Sequence, residues 1–144
     1  MIEGQPLPEP DADSAPFWAA ASEGRLVIQQ CSDCGRLRHP PRPMCPWCRS
    51  IAAGWAPMSG RATIWSFVVP HPPLLPAFAP LAPYVVAVAA LDEDPTIRLV
   101  GNVVDVPGGA INSVDPATIR IGEPVRVTFE PIADVGLPRF LRGA

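Results

Sequence analysis

Four thiols are the only side chains in this sequence whose spacing alone specifies a chemistry. They stand as Cys31-Ser-Asp-Cys34 and Cys45-Pro-Trp-Cys48, with ten residues between the pairs and no other cysteine in the chain. A Cys-x-x-Cys turn presents two sulfurs to one side. Two such turns facing each other make the tetrahedral sulfur cage that Zn2+ prefers. Gly35, directly after the first pair, suits the positive φ that such a knuckle needs. Disulfides fit less well: they belong to oxidising compartments, and the start Met1-Ile-Glu-Gly-Gln-Pro has neither the basic nor the apolar region of an export signal. A redox pair wants one Cys-x-x-Cys beside a βαβ pattern, not two facing pairs. With Cys31, Cys34, Cys45 and Cys48 all bound, the metal keeps no open position. The expected cofactor is therefore a structural Zn2+ that folds a loop, and the expected compartment is, by default, the cytoplasm.

The elements that must position these thiols are short. The chain has 144 residues, of which 21 are proline and 11 glycine, a composition that argues against long helices and for strands and loops. Residues 1–24 are expected to form a flexible Pro-rich arm followed by a helix, which starts at Ser14-Ala-Pro16, carries Phe17 and Trp18 and stops at Gly24. Residues 25–53 follow the order strand, knuckle, strand, knuckle of a zinc ribbon: Arg25–Gln30, the first cysteine pair, Leu37–His39, then the second pair. His39 reads as a surface or supporting residue, since four sulfurs already fill the site, and Trp47 as a shield over the metal.

From residue 54 to 136 the pattern becomes β. Arg61–Val69, Tyr84–Leu91, Thr96–Val104 and Gly122–Glu130 are rich in β-branched and aromatic residues, and Asp92-Glu-Asp-Pro95 turns the second strand into the third. Gly101 marks a bend or bulge, and Asp115–Ile119 one helical turn. Closely spaced strands with no long helix between them predict a small barrel, and a fifth strand would make it an OB-fold. The fold class is thus mainly β: N-terminal helix, rubredoxin-like zinc ribbon, OB-fold barrel. Residues 137–144 are read as a tail, with Phe140 and Leu141 either a partner contact or an anchored end.

The loop Pro70–Pro83 packs six prolines into fourteen residues and also carries Leu74, Leu75, Phe78 and Leu81. An apolar, extended loop of this length is expected to cover a partner or ligand, or else to fold over the barrel end, rather than to sit in water. Net charge is −3, with eleven arginines and no lysine. Six of those arginines fall within residues 25–61, while residues 1–24 hold five acids and no base. The ribbon is thus locally basic, which suits either a phosphate or acidic partner or the anionic metal centre itself. His71 has no carboxylate near it in sequence, and no nucleophile–base order, phosphate loop or dinucleotide fingerprint appears. No run is long and apolar enough to span a membrane. A single-stranded nucleic-acid module, the competing reading, needs a basic groove with stacking aromatics. This acidic chain instead places Trp65, Phe67, Tyr84 and Phe129 where strand core is expected.

Taken in order, the helix, the ribbon, Gly60–His71, Ala82–Asp92 and Ile121–Glu130 resemble the acyl-CoA-associated zinc-ribbon/OB-fold family, domain of unknown function thirty-five, over about residues 14–135. The resemblance implies a small non-catalytic subunit or domain that accompanies thiolase-superfamily enzymes. These include acyl-CoA thiolases, hydroxymethylglutaryl-CoA synthases and the lipid-transfer-protein-like aldolases of steroid side-chain degradation. In some systems the same domain is fused to a hotdog-fold enoyl-CoA hydratase and links it to the aldolase, so that acyl-CoA passes on. No catalytic residue is carried over, and no activity is expected of the chain alone. On this reading Arg36, Arg38, Arg42 and Arg49 are candidates for the phosphates of CoA, because arginine forks match phosphate geometry.

Overall fold

The computed structural model describes residues 2–143. Helix α1 (Ala15–Ser22) forms where Pro16 sits in the first turn. Ahead of it, Ser14 donates both its hydroxyl and its amide to the Asp11 carboxylate at 2.8 Å, and its Oγ accepts from the Asp11 amide at 3.1 Å. The Ser14 bonds hold the Asp11 carboxyl below its usual range. Gly24, at φ +75°, ends the turn as a left-handed cap. Eight residues of helix do not persist alone. Burial of Phe17, Ala20 and Ala21 keeps this one in place.

The ribbon is a three-stranded antiparallel sheet in the order β2-β1-β3, with β1 Val27–Cys31, β2 Leu37–Arg38 and β3 Ala53–Pro57. The barrel comprises β4 Arg61–Val68, β5 Val86–Leu91, β6 Arg98–Val104, β7 Pro124–Ile132 and β8 Val135–Arg142, closed in the order β4-β5-β6-β8-β7. β6 and β8 pair in parallel, all other neighbours antiparallel. That is the five-stranded OB-fold order, with a single 3-10 turn (Pro116–Thr118) between β6 and β7. Ribbon and barrel share one core. Leu26 and Ile28 of the ribbon, Phe17 of α1, and Ile64, Leu91, Val103 and Phe140 of the barrel belong to the same buried cluster.

Close backbone approaches explain two glycines. A Cβ on Gly136 would lie 2.3 Å from the Ala21 carbonyl oxygen, so glycine lets α1 lie directly on β8. A Cβ on Gly101 would lie 2.8 Å from the Pro138 carbonyl oxygen, so glycine lets β6 take β8 as its parallel neighbour.

The structure departs from the expected divisions at both ends of the barrel. β3, most of which falls in the span 54–136 read as barrel, pairs along its whole length with β1 and belongs to the ribbon. The expected C-terminal tail is β8, the fifth strand. Its Phe140 is fully buried opposite Val127, so this ring is a core residue and not a partner contact, while Leu141 is half-buried at the strand end. Gly136 and Pro138 interrupt the alternation that would have marked the strand in the sequence. Trp65 is also not core. A bulge between Ile64 and Ser66 inserts it on the outer face and re-phases β4, so that Phe67 packs inward.

Phe140→Ala is expected to lower unfolding free energy by about 3–5 kcal/mol, the usual cost of emptying a packed aromatic site. Urea denaturation checks this. A loss below about 0.5 kcal/mol would mean that the segment is the frayed end first expected.

Candidate metal centre and docking surfaces

The two knuckles are built alike. The Gly35 amide donates to the Cys31 carbonyl (3.0 Å) and the Arg49 amide to the Cys45 carbonyl (2.9 Å), each closing a tight turn around its cysteine pair. The residue after each pair has positive φ: +77° at Gly35 and +65° at Arg49. An arginine in that region costs on the order of 1 kcal/mol, which the metal site must offset. The four sulfurs lie within 4.8 Å of one another. The nearest approaches join opposite knuckles: Cys31 to Cys48 at 3.5 Å and Cys34 to Cys45 at 3.6 Å. A disulfide would need about 2.05 Å. A tetrahedron with Zn–S bonds of about 2.3 Å has S···S edges of about 3.8 Å, which is the spacing of this cage. The Cys34 amide, 3.5 Å from the Cys31 sulfur, leads the contacts that hold the Cys31 thiol down to about 6. Zn2+ takes each of the four sulfurs as the thiolate. These residues fit a structural Zn2+ with no open position. Cys31 and Cys45 are buried, Cys34 and Cys48 exposed. Trp47 is half exposed, with the Arg36 guanidinium 5.2 Å from its ring centre.

The four arginines proposed for phosphates separate. Arg36, Arg42 and Arg49 are exposed on the ribbon. Arg38 is only 2% exposed. It donates through Nε to Gln29 Oε1 (2.9 Å) and through Nη2 to the Arg42 carbonyl (3.0 Å), and the same Gln29 oxygen accepts the Arg42 amide (2.7 Å). Arg38 is thus a buried brace of the ribbon and is corrected out of the phosphate set. Gln29, absent from the sequence reading, is its counterpart. The only signal for it was a polar residue at an inward strand position.

His39 packs on Phe17 (5.3 Å between ring centres), which also meets Trp18 at 5.0 Å and Phe129 at 6.4 Å. This joins ribbon, helix and barrel, and burial pushes the His39 imidazole below its usual value. His71 Nδ1 bonds the Val69 carbonyl at 2.7 Å. Neither imidazole has a carboxylate partner among the described residues. In the Pro-rich loop, Phe78 leans on Tyr84 (6.0 Å) while Leu74 and Leu81 are half-buried and Leu75 is 59% exposed. The loop folds partly onto the barrel and leaves one leucine out. No helix among the described residues is long and apolar enough to cross a membrane.

A four-sulfur ribbon sharing its core with a closed five-stranded barrel defines a zinc-ribbon/OB-fold module. Comparison with known proteins makes this particular. The rubredoxin-like zinc ribbon domain of ChsH2 matches residues 18–50, and the C-terminal OB-fold domain of ChsH2 matches residues 55–130. The chain belongs to this ChsH2 zinc-ribbon/OB-fold family. It is 39% identical over 137 residues to a probable enoyl-CoA hydratase alpha subunit of Thermomonospora curvata, covering 94% of this chain and 39% of that protein. It is 35% identical over 130 residues to the 3-oxo-4,17-pregnadiene-20-carboxyl-CoA hydratase alpha subunit of Mycobacterium tuberculosis, covering 90% and 38%. The chain therefore spans about two fifths of the length of these two relatives. A DUF35 domain-containing scaffold protein of Methanothermobacter thermautotrophicus is 32% identical over 112 residues, covering 77% of this chain and 76% of that one. Among solved structures, a chain of the Ltp2-ChsH2(DUF35) aldolase superposes with a TM-score of 0.80 at 37% identity, covering 96% of this chain and all of that one.

The purified chain is expected to hold one zinc per molecule by elemental analysis, and Cys45→Ser to lose it. Chelation should melt the ribbon amide signals in NMR while the barrel strands persist. Full zinc retention by Cys45→Ser would contradict the four-sulfur cage.

Proposed function

We propose that this chain is a non-catalytic accessory subunit that docks on a thiolase-superfamily enzyme acting on acyl-CoA, a thiolase or a retro-aldolase. The observation that carries this reading is the likeness, over 96% of this chain, to a chain of the Ltp2-ChsH2(DUF35) aldolase. A relative of similar extent is named a scaffold protein, which fits the same role. The closed metal site supports it from the chemistry, because a four-sulfur zinc polarises no substrate. In the complex the subunit holds the assembly together and helps acyl-CoA pass between active sites, including one on a hotdog-fold enoyl-CoA hydratase where such a partner is present. The hydratase names of two relatives are compatible with that link, and the pregnadiene carboxyl-CoA named for one of them makes a steroid side chain a candidate acyl group.

Within this reading the exposed arginines Arg36, Arg42 and Arg49 serve the phosphates of CoA, and the loop with Leu74, Leu75, Phe78 and Leu81 meets the partner. The chain, expressed tagged in its native host, is expected to co-purify in fixed stoichiometry with a thiolase-like subunit, identified by mass spectrometry. That subunit should lose most of its acyl-CoA activity when the chain is removed and regain it on reconstitution. Recovery of the chain alone, or with single-stranded nucleic acid released by salt, would contradict the proposal.

The triple exchange of Arg36, Arg42 and Arg49 for alanine is expected to raise the complex's KM for acyl-CoA about tenfold, with kcat nearly unchanged, as loss of uniform binding does. An unchanged KM would remove CoA from the ribbon.

A further inference from the structure

The outer wall of the barrel along β4, β5 and β6 is built for burial, yet this chain leaves it bare. β5 begins in the run Val85-Val-Ala-Val-Ala-Ala-Leu91, with no polar residue. A strand with one solvated face alternates apolar and polar, and an unbroken apolar run marks a strand covered on both faces. Here Ala87, Ala89 and Leu91 point into the core, fully buried. Val86 and Val88, both half-buried, and Ala90, 8% exposed, take the outward positions, so the bare surface lies on the flanking strands. Pairing sets these three residues in rows with their neighbours: Val68–Val86–Asn102, Ser66–Val88–Val100 and Thr63–Ala90–Arg98. Val68 is 60% exposed, Val100 61% and Trp65, thrown outward by the bulge, 51%.

One other feature extends this wall. A groove of about 370 Å3 with nearly all-apolar walls runs between Trp65 and Ile121, which is itself 67% exposed. Val68 and Val86 are also the strand-end pair from which the Pro-rich loop rises, but the loop turns its exposed Leu75 toward Ile2 and Pro6 of the N-terminal arm, so the wall ends at this pair. The opposite side of the barrel differs. There α1 covers β8 at Gly136, and the ion pair Arg139–Glu130 (2.9 Å) occupies the adjoining surface. One side of the barrel is thus covered by the chain's own helix. The other has the composition of a covered side and no cover.

The charges identify what covers it. Two charges stand at outer positions of these strands: Arg61 at the start of β4 and Arg98, whose guanidinium lies 3.8 Å from the centre of the Trp65 ring. The ends of the wall are acidic. Asp92 lines the groove, Asp94 follows in the β5–β6 turn and Asp105 lies just past β6, and none of the three is ion-paired among the described residues. Arg61, whose carbonyl accepts the Asp92 amide, and the exposed Arg120, next to Ile121, are the cations at that edge. An apolar centre with an acidic rim repels a second copy of itself, an anionic membrane and nucleic acid alike. It fits a folded protein surface with an apolar centre and a basic rim. We infer that this wall is where the catalytic subunit sits, through an apolar patch edged by arginine or lysine. The inference rests on the accessory-subunit reading and adds to it the surface and its chemistry.

The test titrates zinc-loaded full-length chain onto the thiolase-like subunit that the wild type captures. Val68→Asp/Val100→Asp changes two exposed side chains and should leave the melting temperature unchanged, while raising Kd about a hundredfold. Ile51→Asp on the ribbon should change Kd less than about threefold, and Asp105→Arg should slow association about tenfold at low salt. Wild-type affinity in the double variant, with the wild type still binding, would overturn the wall while leaving the accessory role intact. A wild-type homodimer in sedimentation that the double variant abolishes would replace the catalytic subunit with a second copy. Failure of the wild type to bind any thiolase-like subunit would remove the accessory reading itself, and this partner with it.

Discussion

The sulfur cage is the constraint on which the ribbon, and the helix packed between ribbon and barrel, depend. The ribbon offers a sheet whose strands have five, two and five residues, far too little to stand alone. Four thiolates around one metal supply the folding free energy that so small a sheet lacks, on the order of 10 kcal/mol in isolated zinc modules. Once the ribbon is held, Gln29 and Arg38 brace it from within, and His39 presents a surface for Phe17. The short helix can then bridge to β8 and Phe129. Without the metal the order of dependence runs backwards, and the helix loses one of the two bodies that it joins.

This order of dependence explains how one small chain divides its surfaces. The helix and ribbon cover one flank of the barrel, where an ion pair and a glycine contact suffice. The flank formed by β4, β5 and β6 carries valines, alanines and a tryptophan instead. The metal is spent on structure, the imidazoles are engaged in packing and a backbone hydrogen bond, and the exposed arginines cluster on the ribbon. What remains for function is surface, which is consistent with a subunit that acts by holding others.

Features set by local spacing were legible in the sequence. The cysteine pairs define the cage directly, and four barrel strands appear as β-branched runs between turns. The helix shows its Pro16 start and its Gly24 stop. Features set by distant contacts were not legible. β8 hides behind Gly136 and Pro138, whose roles are clear only beside α1 and Gly101. Arg38 looked like its exposed neighbours until its pairing with Gln29 placed it inside. Trp65 and Phe67, two apart and both expected inside, fall on opposite faces because one bulge shifts the phase of β4. The apolar run of β5 was readable as a strand, but its second meaning emerges only when the topology shows that one of its faces has no cover.

The most direct test of the account is hydroxyl-radical footprinting of the chain, free and in complex with its catalytic subunit, read by mass spectrometry. The account predicts that oxidation of Trp65 and Ile121 falls severalfold on complex formation, while Trp47 and Met44 on the ribbon stay as reactive as in the free chain. Protection of Trp47 and Met44 with Trp65 unchanged would contradict it and would move the interface from the barrel wall to the zinc ribbon.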